Sequence, residues 1–73
     1  MKAVLPVISG REAVRAFGKI GFKFHHQKSS HIILYHSNGR HLSVPDHREL
    51  DRGTLRSLIR GAGITVEEFV QLL

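Results

Sequence analysis

Asn38-Gly39 stands between two runs of strand-forming residues and constrains this chain more than any other feature. The run before it is His31-Ile32-Ile33-Leu34-Tyr35-His36. The run after it is Arg40-His41-Leu42-Ser43-Val44, closed by Pro45. Asn-Gly in this setting is the strongest short hairpin signal, because both central residues of a type I′ turn take positive φ. A two-residue loop also fixes the pairing. Ser37 faces Arg40, His36 faces His41, Tyr35 faces Leu42, Leu34 faces Ser43 and Ile33 faces Val44. On that register Ile33, Tyr35, Leu42 and Val44 point to the core. Ile32, Leu34, His36, His41 and Ser43 form the other face, which reads either as a partner site or as scattered exposed aliphatics. His36 and His41, facing each other, could share a metal, but two ligands fall short of the usual three or four.

The flanking sequence supplies helices and one more strand. Pro6 excludes regular helix early, so residues 1–8 read as an extended arm. Ser9-Gly10-Arg11-Glu12 is a capping-box pattern. It predicts a first helix from about Gly10 to Lys19, with Ala13, Val14, Phe17 and Ile20 on one apolar face and Gly21 as the stop. Arg11, Arg15 and Lys19 line another face. Phe22–Gln27 alternates apolar and polar residues, which predicts a strand with Phe22 and Phe24 inward. Asp46–Leu50 reads as a loop. Asp51 caps a second helix from about Arg52 to Gly61, with Leu55, Leu58, Ile59 and Ala62 buried and Gly61 and Gly63 breaking it. Thr65-Val66-Glu67-Glu68 is a second capping box, with Ile64 and Phe69 as a hydrophobic staple. It opens a short helix to about Leu72, in which Phe69, Leu72 and Leu73 cover one end of the core.

The order is therefore α-β-β-β-α with a short terminal α. It makes an α+β fold: a three-stranded antiparallel sheet with helices packed on one face. Double-stranded-RNA-binding domains share this arrangement. The 73 residues form a single domain over 1–73, and a chain of this size buries only about 60% of its unfolded surface. With no cysteine, neither disulfides nor a thiolate metal site staple it, which suits a cytoplasmic protein. No apolar run reaches the length of a membrane span, and the first residues are too short and too soon broken by Pro6 for a secretory signal. Eleven Lys and Arg against six Asp and Glu give a formal charge of +5. Such a balance favours polyanions, nucleic acid first, although solubility alone explains it too.

One polar stretch concentrates the chemistry. Gln27-Lys28-Ser29-Ser30-His31 is a short turn ending in a histidine at the start of the most strand-like run. Imidazole can take and give a proton near neutrality, and a strand entry holds it rigidly while leaving it reachable. A strand-end histidine can equally be structural or solvated.

The chain resembles the HicA toxins of bacterial and archaeal toxin–antitoxin pairs. The resemblance lies in Leu5-Pro6-Val7-Ile8-Ser9-Gly10, Gly21-Phe22, Gln27-Lys28-Ser29-Ser30-His31, Val44-Pro45 followed by His47, Gly53–Arg60, Ala62-Gly63-Ile64 and Glu67-Glu68-Phe69. It implies a small double-stranded-RNA-binding-like fold that cleaves mRNA without a metal or other cofactor, and a HicB-type antitoxin that covers the active site. The family's catalytic histidine follows a Gly-Ser pair and corresponds to His31. Here Ser29 stands where the family has glycine, which strains the turn if that position needs positive φ. Lys28 and the backbone N–H groups of Ser29 and Ser30 are candidates to hold phosphate. Arg40 and the row Arg52, Arg56 and Arg60 are candidates to position RNA, or are solvated faces. His47 is a weak candidate for a second proton-transfer group. Two rival readings share the sequence: a non-catalytic basic RNA-binding module of the same fold, and a protein-binding domain that uses Ile32 and Leu34.

Overall fold

The computed structural model describes residues 4–73. The elements run α1 (Gly10–Gly18), β1 (Lys23–Lys28), β2 (His31–Tyr35), β3 (His41–Pro45), α2 (Arg52–Ala62) and α3 (Val66–Gln71). The strands form one antiparallel sheet in the order β1-β2-β3. The expected fold class is the observed one. Of the expected arm, Val4 to Ile8 form neither helix nor strand, with Leu5 and Ile8 buried; its first three positions lie outside the described residues.

Local chemistry sets the helix starts where the sequence placed them. Ser9 Oγ accepts from the Glu12 N–H at 3.1 Å, and the Glu12 carboxylate accepts from the Ser9 N–H at 3.0 Å. That reciprocal pair satisfies two of the orphan N–H groups at the start of α1. Thr65 and Glu68 repeat it for α3. Asp51 caps α2 by accepting from the Gly53 and Thr54 N–H groups. Gly61 lies inside α2 rather than ending it, and Gly63 is the C-cap.

The hairpin departs from expectation by one residue, and the consequences run through the sheet. Tyr35 pairs with His41, Leu34 with Leu42, Ile33 with Ser43, Ile32 with Val44 and His31 with Pro45. The loop is not type I′. The His36 carbonyl accepts from the Gly39 N–H at 3.0 Å, and the His36 N–H donates to the Arg40 carbonyl at 2.9 Å. Gly39 has φ of +93°, whereas Asn38 is not in the positive-φ region. This is the three-residue hairpin in which an ordinary turn is followed by a left-handed glycine bulge. Side chains hold it: Asn38 Oδ1 accepts from the Arg40 N–H at 2.8 Å, and His36 Nδ1 accepts from the Asn38 N–H at 3.0 Å. The extra residue flips β2, because a one-residue slip moves every side chain to the other face. The core face is therefore Ile32, Leu34, Leu42 and Val44, all buried. Ile33 is only half-buried and Tyr35 is exposed.

Two further expectations fail with the register. Phe24 is 63% exposed rather than inward, and β1 carries a bulge at His25, between the pairs Phe24–Leu34 and His26–Ile33. Leu73 is also exposed, so Phe69, with Leu72 partly buried, closes that end of the core. Against the buried sheet face pack Ala13, Ala16 and Phe17 from α1, Leu55, Leu58 and Ile59 from α2, and Phe69 from α3. Phe17 is central, meeting Phe69 at 5.1 Å and Phe22 edge-on at 5.9 Å between ring centroids. All three described helices lie on one side of the sheet, and among the described residues nothing covers the opposite side.

Candidate functional site

Lys28-Ser29-Ser30-His31 is itself a tight hairpin. Lys28 pairs directly with His31, which leaves Ser29 and Ser30 as the whole loop. Ser29 has φ of +58° and is the only non-glycine in that region among the described residues. A hairpin loop of this length needs positive φ at its first central residue, the position glycine ordinarily fills. The serine thus stands where the backbone favours glycine.

The turn is tied down by the segment after β3. The Ser30 carbonyl accepts from the Asp46 N–H at 2.7 Å. Gln27 Nε2 reaches the Ser29 carbonyl at 3.4 Å and Asp46 Oδ2 at 3.5 Å. Arg11, at the start of α1, donates to Asp46 at 3.2 and 3.4 Å. Its hydrogen bond and charge hold the Asp46 carboxyl below its usual range, with the Gln27 amide adding to the effect. The Gly10 N–H donates to the His47 carbonyl at 2.9 Å. At Gly10 a Cβ would fall on the Pro45 carbonyl oxygen, so only glycine lets α1 approach this loop so closely. Three segments distant in sequence thereby converge behind one two-residue turn.

His31 projects from this turn onto the uncovered side of the sheet. It shares parity with Ile33 and Tyr35, opposite to buried Ile32 and Leu34. The side chain is exposed, and its ring makes no hydrogen bond to another described residue. Lys28 lies directly across the strand pair, within the distance at which cross-strand side chains interact. An unengaged imidazole beside an ammonium, both open to solvent, can exchange a proton at a bound anion.

The other sequence candidates are elsewhere. Arg40 immediately precedes β3, about 16 Å along the chain direction from Pro45, the partner of His31. Its guanidinium donates to the Gly61 carbonyl at 3.0 Å and thus caps the end of α2. Arg52, Arg56 and Arg60 are exposed on α2, on the helical side of the sheet. Of the row Arg11, Arg15 and Lys19, two members are engaged: Arg11 with Asp46, and Lys19 with the Leu72 carbonyl at 2.7 Å. His36 and His41 do not face each other. The His36 ring is used at both nitrogens, accepting from Asn38 and donating from Nε2 to the Ile20 carbonyl at 2.9 Å. No group of three or more His, Cys, Asp or Glu is arranged to hold a metal among the described residues. No described helix is long and apolar enough to cross a membrane.

Sequence reasoning missed the support of the turn. Arg11, Gln27 and Asp46 were each in view, but nothing local says that residues 19 and 35 positions apart will meet. The pairing of β1 with β2 and of β2 with β3 brings Gln27 to Asp46, and the docking of α1 on the loop after β3 brings Arg11.

Comparison with known proteins identifies the family. The family model described as the HicA toxin of bacterial toxin–antitoxin matches residues 10–64, from the start of α1 through the end of α2. No curated protein matches the chain.

Proposed function

The chain belongs to the HicA toxin family of bacterial toxin–antitoxin systems, and from that premise we propose that it is an endoribonuclease that cuts mRNA with His31 and needs no metal. The observation that supports this most is the unengaged, exposed imidazole of His31 across from Lys28 on the uncovered sheet face.

The chemistry asked of the site is a transphosphorylation. The ribose 2′-OH attacks the adjacent phosphorus, and the bond to the 5′ oxygen breaks. A base takes the 2′ proton and an acid delivers one to the departing oxygen, leaving a 2′,3′-cyclic phosphate and a free 5′-OH. His31 performs one of these transfers, worth about 10²–10⁴-fold. Lys28 and the N–H groups of Ser29 and Ser30 oppose the charge that builds on the phosphorane. Arg52, Arg56 and Arg60 stand on the helical side and act, if on RNA at all, through phosphates remote from the scissile one.

A HicB-type antitoxin is the expected partner. An acidic surface that buries His31 and Lys28 neutralises charge and blocks the site together. An mRNA target puts the action in the cytoplasm.

The test is cleavage of mRNA by the purified protein in EDTA. Cleavage to cyclic-phosphate ends is expected, with His31→Ala reduced by about 10²–10⁴-fold while still binding RNA. Growth arrest on induction should follow the same pattern. If wild-type protein binds RNA but never cuts it, and His31→Ala binds equally, the chain is a non-catalytic RNA-binding module instead.

A further inference from the structure

The uncovered face carries a row of rings that His31 chemistry does not use. The His25 ring stacks on Tyr35 with centroids 4.3 Å apart and planes at 26°. Tyr35 in turn lies 5.9 Å from His41, tilted by 34°. His26 stands edge-on to His25 at 4.9 Å, with their Nδ1 atoms 2.7 Å apart, so one donates and the other accepts. The row therefore crosses all three strands. It exists because of two irregularities: the bulge at His25, and the left-handed glycine that turns Tyr35 outward. Bulges re-aim side chains and are concentrated next to functional sites.

Beside the row, at the end of the sheet, is an open cavity of about 470 Å³ lined by Gly21, Lys23, Phe24, His25, Tyr35, His36 and Ser37. That volume is in the range of small-ligand sites. Phe24 and Tyr35 are 63% and 47% exposed, among the largest apolar groups left in water. No strand contains Asp or Glu, whereas Lys23 pairs with Tyr35 and Lys28 with His31. Tyr35 and His31 share one strand and one face, four residues and about 13 Å apart.

We propose that this cavity is a subsite for an unpaired base of single-stranded RNA, held against Tyr35 and Phe24 a few nucleotides from the phosphate at His31. The proposal rests on the nuclease reading of His31 and adds the form of the substrate. Flat rings beside a cationic side chain suit a base and its phosphate, because every base offers a π face while the lysine meets the backbone. A duplex keeps its bases stacked on one another and has no free face to give. An acidic protein is the less suited occupant of the cavity itself, where Lys23 is the only cation in the lining; the antitoxin surface proposed for His31 and Lys28 meets the other end of the β1–β2 pair.

The experiment uses the full chain carrying His31→Ala, so that RNA is bound without being cut. The probes are a short single-stranded oligoribonucleotide containing 2-aminopurine and the same strand annealed to its complement. Tyr35→Leu, which keeps apolar bulk but removes the ring, should weaken single-strand binding about five- to 150-fold and abolish fluorescence quenching. Tyr35→Phe should behave as the parent. Phe24→Leu should weaken single-strand binding in the same direction, and duplex binding should change little in any variant. The slope of affinity against salt should stay the same, because the ring touches no phosphate. Melting curves establish that each variant folds. Unchanged single-strand affinity in both folded leucine variants overturns the proposal, as does an equal loss on duplex. Unchanged RNA affinity with loss of antitoxin binding assigns the face to the protein partner. Binding in the non-cutting background is independent of turnover, so failure here leaves the His31 reading standing, and retained cleavage by His31→Ala would sink that reading alone.

Discussion

Replacing Ser29 with glycine should make this protein more stable, although glycine usually does the opposite. At φ of +58° an L-residue pays about 1–2 kcal/mol for the left-handed side of the map, a cost that glycine does not carry. Against this, glycine loses more chain entropy on folding, about 0.5–1 kcal/mol. The Ser29 hydroxyl makes no hydrogen bond to another described residue, and the Gln27 amide reaches its backbone carbonyl, which glycine retains. The net gain is then about 0.5–1 kcal/mol, and in a domain of this size each kcal/mol moves the melting temperature by about 4–8 °C. Ser29→Gly should therefore melt about 2–8 °C higher by far-ultraviolet circular dichroism. Ser30→Gly is the control, because Ser30 is not in the positive-φ region: it should lose about 0.5–1 kcal/mol and melt lower. Ser29→Ala keeps the Cβ and should not reproduce the gain. If Ser29→Gly and Ser30→Gly fall together, the turn is not strained at Ser29. Relief of strain should also let the turn close more regularly on phosphate, so Ser29→Gly should cut RNA faster than wild type.

Two other outcomes follow from the support of the same turn. Gly10→Ala places a methyl on the Pro45 carbonyl and forces α1 off the loop that carries Asp46. Overpacking of this kind costs about 1–3 kcal/mol or more, enough to lower the melting temperature by roughly 10 °C, and a variant that melts as wild type would show that the helix simply shifts. The acid limb of stability should carry the mark of Asp46 and Glu12, whose carboxyls are held low by hydrogen bonds from Arg11 and from the Ser9 N–H respectively. Because each binds its proton less readily when folded, their contribution is fully present above the unfolded values near pH 4 and is lost as pH falls through the lower folded ones. Asp46→Asn should flatten that limb in melts taken from neutral pH downward; an acid limb identical to wild type would discount the pair.

How much was legible in the sequence depended on how local the cause was. Both capping boxes and the Asp51 cap depend on contacts three residues apart, and the structure forms all three. The hairpin at Asn38-Gly39 was equally visible as a hairpin, but not its register. The glycine signal is shared by a two-residue loop and by a three-residue loop with a glycine bulge, and the two differ in which face β2 presents. The composition of the two faces separates them. The two-residue loop puts Tyr35 in the core beside Ile33, whereas the longer loop buries four plain aliphatics, Ile32, Leu34, Leu42 and Val44, and leaves the tyrosine hydroxyl in water. Burying a hydroxyl without a partner is costly, so the core composition favours the register that the turn rule does not. Phe24 is a separate case: it pairs with buried Leu34, as alternation expects, but it stands on the edge strand β1 and remains 63% exposed.

The site followed the same division. His31 and its turn are contiguous, so a short motif could carry them. The arginines are not, and charge periodicity could say only that Arg52, Arg56 and Arg60 share a helix face, never which side of the sheet that face would occupy. Once the register is known their placement follows: α2 covers the Ile32 and Leu34 side, so its arginines stand away from His31, while β2 turns His31 and Tyr35 to the same open side. The turn error and the site error are therefore one error. The aliphatic core puts Tyr35 on the face of His31 and removes Ile32 and Leu34 from any partner surface. The same register separates His36 from His41, dissolving the pair that made a metal conceivable. The length of one hairpin loop decides what stands beside the imidazole, because in a three-stranded sheet with a single covered side, every change of parity exchanges core for site.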